Sequence, residues 1–352
     1  MEDLFAARED ISSFLMALMS IESTTTKEGT LSIAVKEFLK SQGFHIIVQP
    51  IPQQPSRFNI LATVAPFEAP GPRILFNTHL DTVPPFIPPR KDEEKIYGRG
   101  SNDAKGQIAS QIFALMRLVK EQPQLAGQLG LLLVVGEETD HIGMKEANKF
   151  VLKPDYLIVG EPTDMKFASI QKGAVKLVLT ANGVAAHSGY PHLGDSAIDK
   201  LLDVLHDIRR HKWPSDPNLG DTTLNIGFIK GGQALNALAE KATAEIFVRV
   251  THSAKEVHET MKKIVNNRVQ VDLYGNNEPV ILTKPPPPYE THPVSFNTDI
   301  PYFDSRNSLK GCFLFGPGSI TNAHSQNEFI PIKELEDSVD VLVDLVKKVS
   351  KR

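Results

Sequence analysis

Cysteine is almost absent: one in 352 residues, Cys312, placed inside an apolar run. A lone thiol excludes a disulfide framework and a thiolate metal cluster, so any metal site must be built from histidine and carboxylates. Cys312 itself reads as a small buried hydrophobe. Long apolar runs are also missing. None approaches the ~20 residues that cross a bilayer, and the N-terminal MEDLFAARED has no basic segment leading into an apolar one, so no signal peptide is expected and the location expected is cytoplasmic. Excess positive charge is absent too. A net charge of -4 gives no reason to expect nucleic acid or an anionic membrane as partner. There is no internal repeat and no low-complexity tail. What remains is 41% hydrophobic and 23% charged, the balance of an ordinary soluble globular protein, long enough for about two domains.

The chain is organised around LGLLLVVGEET, Leu129 to Thr139. A short apolar run between Gly130 and Gly136 predicts a strand buried on both faces, hence a mainly parallel sheet sandwiched by helices. In such sheets ligands gather beyond the carboxyl ends of the strands, where Glu137 and Glu138 stand. The pattern recurs. Residues 73–78 lead into His79 and Asp81, residues 156–160 lead into Glu161-Pro162, and 311–316 run into a loop that reaches His324. Carboxylates and imidazoles would then share one sheet edge, and buried like charges need a cation.

Helical spacing covers 7–21, 30–42 (ending at Gly43, a left-handed cap), 104–121, 143–152, 298–307 and 332–349. Strands are expected at 44–50 and 58–65, and a proline-rich loop at 82–95. After Gln171 the pattern changes. A strand from Lys172 alternates with Val175, Leu177 and Leu179 on one face; a helix follows at 195–211, with Leu201, Leu202, Val204, Leu205 and Ile208 inward. Strands at 222–230 and 242–250, a helix at 254–266 and a strand at 269–274 complete a β-α-β-β-α-β unit, the ferredoxin-like α+β sandwich. Pro285 to Pro288 form a stiff connector back to the first domain. The expected division is 1–171 with 281–352, and an inserted lid or dimerisation domain at 172–280.

Taken singly, the chemical positions admit bland readings. His79 and Asp81 could be a hydrogen-bonded core pair, or a ligand and the carboxylate that fixes its tautomer. Asp103, before a helix, could be an N-cap or a carboxylate bridging two ions; both uses need the same oxygens. Glu161 is extended by the following proline. His324 and His187 could be loop and turn histidines. Glu137-Glu138 resists a bland reading, because adjacent carboxylates at a buried strand end repel unless neutralised, and successive side chains there point opposite ways. GRGSNDAKG, residues 98–106, does not match a phosphate loop.

Taken together, T-H-L-D, G-R-G-S-N-D-A-K-G, G-E-E-T, G-E-P-T, A-A-H-S-G and N-A-H-S-Q-N-E stand in an order that resembles the two-zinc metallopeptidase and deacylase family of glutamate carboxypeptidase, aminoacylase, acetylornithine deacetylase and succinyl-diaminopimelate desuccinylase. The resemblance spans nearly the whole chain. It implies two divalent ions, zinc or alternatively cobalt. His79 and Glu161 would serve one ion, Glu138 and His324 the other, with Asp103 bridging and the Asp103–Ala104 peptide cis. It implies Glu137 as general base, with Asp81 supporting His79. His187, Asn236 and Arg249 would be the inserted domain's substrate contacts, and Gly318 a backbone contact to a substrate carboxylate. Two departures stand out. Asn236 is followed by Ala-Leu-Ala where relatives often carry Ile-Pro, and His141 stands where many have a small residue, which implies a differently shaped loop after Glu138. The activity implied is hydrolysis of an amide bond in a small substrate with a free carboxylate, of the metallo-carboxypeptidase or dipeptidase type. The alternatives are an N-acyl-amino-acid deacylase, such as acetylornithine deacetylase, and a noncatalytic small-ligand binder. A homodimer through 172–280 is a further expectation.

Overall fold

The structure, a computed structural model, describes residues 2–351. It contains two compact units: Met1–Ser169 with Leu282–His292 and Thr298–Arg352, and Ile170–Ile281 with Pro293–Asn297.

In the first unit the sheet order is His45–Ile51, Gln54–Thr63, Leu129–Val134, Ile74–His79, Tyr156–Val159, Gly311–Leu314. The first two pairings are antiparallel and the other three parallel. Every residue of Leu129–Val134, Ile74–His79 and Tyr156–Val159 is buried, which is why these strands read as unbroken apolar runs. Register places His79 beside Val134 and Asn77 beside Val159, so neighbouring strands end together. The Lys105–Glu121 helix packs against those strands, against Ile332–Val349 and against Ile11–Met19. A core of Leu15, Phe14, Phe38, Phe76, Ile108, Leu131 and Leu342 joins these layers.

Local chemistry corrects three boundaries. The helix expected over 7–21 breaks, because the Asp10 carboxylate accepts from the backbone N–H of Ser12 and Ser13 (3.3 and 3.0 Å) and starts a new helix at Ile11. The 143–152 helix is Ile142–Ala147 followed by a 3-10 turn, Asn148–Phe150. The 298–307 helix is two 3-10 turns, Ile300–Tyr302 and Asp304–Ser308, separated by extended Phe303 (φ -84°, ψ 110°). Gly43 adopts φ +86° after the Gly29–Ser41 helix, the left-handed conformation a helix end favours.

The second unit is a four-stranded antiparallel sheet in the order Thr223–Gly231, Lys241–Val250, Gly173–Asn182, Gln270–Asn277. Helices Ala197–Arg210 and Ala254–Val265 complete the β-α-β-β-α-β sequence. Val175, Leu177, Leu179, Ile246 and Val248 are buried with Leu201, Val204, Ile208, Val257 and Met261. Leu202, expected on the inner side, is 51% exposed, because it follows Leu201 around the helix and leaves the apolar stripe. Pro293–Asn297 was expected in the first domain. It belongs to the second unit, where the Asn297 amide donates to Lys172 O (3.1 Å) and to Asn277 Oδ1 (2.7 Å).

Candidate active site

The chemistry-bearing residues of the first unit follow the carboxyl ends of its parallel strands. His79 ends Ile74–His79, Glu137 and Glu138 follow Leu129–Val134, and Glu161 follows Tyr156–Val159. Gly136, at φ +75°, makes the turn that carries the chain away from its strand. Asp103 closes the loop before Lys105–Glu121, with a cis peptide to Ala104. It caps no helix: the N-cap is Ala104, without a side-chain bond.

The Asp103 carboxylate instead lies between two imidazoles. Its Oδ1 is 3.0 Å from His79 Nε2, and its Oδ2 is 3.2 Å from His324 Nε2. Glu161 Oε1 is 3.7 Å from His79 Nε2, and Glu138 Oε2 is 3.2 Å from His324 Nε2. Two groups able to hold an ion result, His79–Asp103–Glu161 and Asp103–Glu138–His324, which share Asp103. The other nitrogen of His79 meets the backbone oxygen of Asp81 at 2.9 Å. The Asp81 carboxylate accepts from the backbone N–H of Glu137 (3.1 Å) and Glu138 (3.3 Å) and from Thr25 Oγ1 (2.9 Å), so it braces both strand ends.

The chain's own charges leave this site short of positive charge. Burial, reinforced by neighbouring carboxylates, pushes the Glu161 carboxyl up to about 8. It holds Glu137 well above the usual carboxylate range, with Glu161 adding repulsion, and it raises Glu138, with Asp103 adding. Hydrogen bonds with Asp103 and Glu138 push His324 up to about 10. His79 also rises, because Glu161, Asp103 and Asp81 together outweigh the burial that opposes its protonation. Glu138 Oε1 is buried without a hydrogen-bond partner. A donor set of imidazole and carboxylate oxygen with an orphaned, buried acceptor fits divalent cations.

Two supporting groups carried no role in the sequence reading. Glu328 is fully buried. Its Oε1 accepts from the backbone N–H of Gly100, Asn102 and Asp103 (2.9, 3.1 and 3.2 Å), and its Oε2 pairs with Arg99 Nη1. Arg99 in turn donates to the backbone oxygens of His324 and Ser325, each at 3.4 Å. This pair fastens the Asp103 loop to the His324 loop. The available signal was Arg99 itself, an arginine in a glycine turn that needs a counterion. Because side-chain exposure is 1% and 0%, removing one charge strands the other. Glu328→Gln, which keeps an oxygen for the backbone donors, is expected to cost about 3–5 kcal/mol by denaturant titration; a loss below about 1 kcal/mol, the ceiling typical of an exposed pair, would refute this role. The second is His141 with Asp299, which form a further buried cluster with Glu137.

Gly318 adopts φ +81°, and its N–H donates to Glu334 Oε2 at 2.9 Å, so that donor is engaged within the chain. In the second unit His187 forms an isolated bridge with Ala237, and Ser188 N–H donates to Asn236 O at 2.9 Å, which brings His187 and Asn236 together. His187 Nδ1 accepts from Gly189 N–H at 3.1 Å, leaving the ring proton on Nε2. The Arg249 guanidinium lies 4.1 Å over the Phe247 ring. Among the described residues no helix is long and apolar enough to cross a membrane.

Comparison with known proteins gives the family. Residues 75–348 match the peptidase family M20/M25/M40. A probable carboxypeptidase of Aspergillus terreus is 37% identical over 368 residues, covering 93% of this chain and 83% of the relative. In fold the chain resembles a tripeptidase from Staphylococcus aureus (TM-score 0.79, 22% identity, 98% of this chain and 99% of that one). It also resembles a dinuclear metal binding peptidase of the M20 family from Bacillus subtilis (TM-score 0.69, 12% identity, 98% and 99%). The chain belongs to the peptidase family M20/M25/M40 and is, at that level, a hydrolase of peptide bonds.

Proposed function

We propose that this protein is a metal-dependent hydrolase of metallo-carboxypeptidase or dipeptidase type, cleaving an amide bond in a small substrate with a free carboxylate. The observation that carries the reading is the Asp103 carboxylate, with one oxygen toward each imidazole of two ligand groups. His79, Asp103 and Glu161 would hold one ion, and Asp103, Glu138 and His324 the other. Nitrogen and oxygen donors suit zinc, with cobalt as substitute. When bound, such ions act as Lewis acids and lower the pKa of a coordinated water to about 7.

The rest falls to the chain's own groups. Glu137 takes a proton from the attacking water and returns it to the leaving amine; its burial, with Glu161 adding repulsion, disfavours a permanent charge on it and so favours its holding the proton between the two transfers. Asp81 holds the loop that carries it. His187, protonated on Nε2, supplies a donor to the developing oxyanion. Arg249 grips the substrate carboxylate, bidentate where geometry allows, with Asn236 beside the His187 segment as a further contact and Gly318 as a further donor once Glu334 yields it. Homodimerisation through 172–280 belongs to the same proposal. Exposed Phe228 and Ile229 on the edge strand Thr223–Gly231 support it, and light scattering at assay concentration tests it.

The deciding assay is a panel of dipeptides, their C-terminally amidated forms and N-acetyl amino acids including acetylornithine, with added zinc or cobalt. Dipeptides with a free C-terminus should be cleaved, and amidation should sharply reduce the rate. Faster turnover of the N-acetyl amino acids would establish the deacylase instead. Full metal loading with no turnover of any member would establish a ligand-binding relative.

A further inference from the structure

We propose that His141, clamped by Asp299 and Tyr302, is a positioning residue that orients the Glu137 carboxylate for its proton transfers. The proposal rests on Glu137 being the general base, and its test separates the two claims.

The loop from Gly136 to His141 is folded tightly on itself. Asp140 and His141 both donate their N–H to Gly136 O, at 3.2 and 2.8 Å. His141 ends it in the left-handed conformation, φ 57° and ψ 29°. Non-glycine residues seldom adopt that conformation, and one that does is held there by its surroundings. The position is the N-cap of Ile142–Ala147, yet the side chain caps nothing. It turns instead into the interior, where His141 is 5% exposed.

Three contacts hold the ring. Nδ1 is 3.0 Å from Asp299 Oδ1, a hydrogen bond, and Asp299 is itself 2% exposed. Tyr302 stacks on the ring face at 4.1 Å and 18°. The third contact is functional: Glu137 Oε1 lies 3.7 Å from the same Nδ1. One ring N–H therefore faces two carboxylates. It is bonded to Asp299 and within electrostatic reach of Glu137.

Glu137 has need of such a partner. The carboxylates of Glu161, Asp299 and Glu138 all surround it, and each repels it. A base among like charges rotates away from them unless a directional donor opposes the rotation. The clamped imidazole opposes it electrostatically, with the positive end of its N–H dipole fixed 3.7 Å from Oε1, and a general base depends on being held at hydrogen-bond reach of its proton. The competing explanation is structural: His141–Asp299 would merely tie the loop to the segment beginning at Thr298.

The experiment compares wild type, His141→Gly, His141→Asn, Glu137→Gln and the double variant Glu137→Gln/His141→Gly. The assay is hydrolysis of a dipeptide with a free C-terminus, with metal content measured throughout. Glycine suits the left-handed backbone, so the loop survives loss of the ring. Asparagine also tolerates it and returns an amide N–H near the Nδ1 position. His141→Gly is expected to lower kcat about tenfold or more, the usual scale for a supporting group, with KM and metal content near wild type. His141→Asn should recover most of that loss. In the Glu137→Gln background His141→Gly should cost nothing further, because residues acting as one unit are non-additive. A kcat for His141→Gly within twofold of wild type would overturn the inference while leaving Glu137 its role. A loss of equal factor in both backgrounds would show a structural role only. Near-native turnover of Glu137→Gln alone would overturn both claims.

Discussion

Glu137→Gln is expected to lower kcat by about 10²–10⁴-fold, the usual contribution of a positioned general base, while both ions remain bound. The amide matches the carboxylate in shape but cannot take a proton. Neither ligand group able to bridge through Asp103 contains Glu137, so metal content measured by elemental analysis should not change. The loop should also survive. Asp81 braces it through the backbone N–H of Glu137 and Glu138, which the substitution leaves in place. Stability should hold or rise, because burial and the neighbouring Glu161 disfavour the Glu137 charge that the variant removes. A variant that keeps its metal, folds and turns over at a near-native rate would exclude Glu137 as the base. One that loses metal together with activity would move Glu137 from base to ligand.

How much of this was legible in the sequence follows from how each feature is encoded. The parallel sheet was readable because burial on both faces writes itself as unbroken apolar runs; Leu129–Val134 and Tyr156–Val159 are such runs. The second unit was readable because one-sided burial writes itself as alternation, as in Val175, Leu177 and Leu179. Asp103 was ambiguous, because an aspartate before a helix has two good uses and only the third dimension shows His79 and His324 on its two oxygens. Glu328 stayed silent for a related reason. Its partners are backbone N–H groups and Arg99, 228, 226, 225 and 229 residues away, and no local pattern marks an acceptor of backbone donors from so far along the chain. Pro293–Asn297 was misplaced because its attachment to the second unit is a side-chain amide network, not an apolar period. His141 was visible as a departure from the family pattern, but its partner Asp299 lies 158 residues on.

Stripping the ions with a chelator is expected to abolish turnover and to make stability fall as pH rises, opposite to the trend of the loaded protein. The sign follows from which state holds more protons. In the stripped chain the Glu161 carboxyl sits at about 8 against an ordinary 4.5. The stability it contributes is present below about 4.5 and lost as pH climbs through 8. His324, at about 10 against 6.5, contributes below 6.5 and loses that contribution as pH climbs through 10. Glu137 and Glu138 are raised as well and act in the same sense. Asp103 is lowered, so its opposing contribution is lost only in strong acid, outside the window. The stripped protein should therefore lose thermal stability steadily from about pH 5 to pH 8. Metal binding needs deprotonated ligands, so it strengthens over the same range. With free zinc about a thousandfold above Kd, each ion adds about 4 kcal/mol, or roughly 10 °C in Tm for a unit of this size. The measurement is Tm against pH with and without chelator, followed by zinc re-addition. The gap between the two curves should widen from pH 5 to pH 8 and close when zinc returns. A gap that stays constant or narrows with pH would mean that these carboxylates and imidazoles are not what the ions hold together.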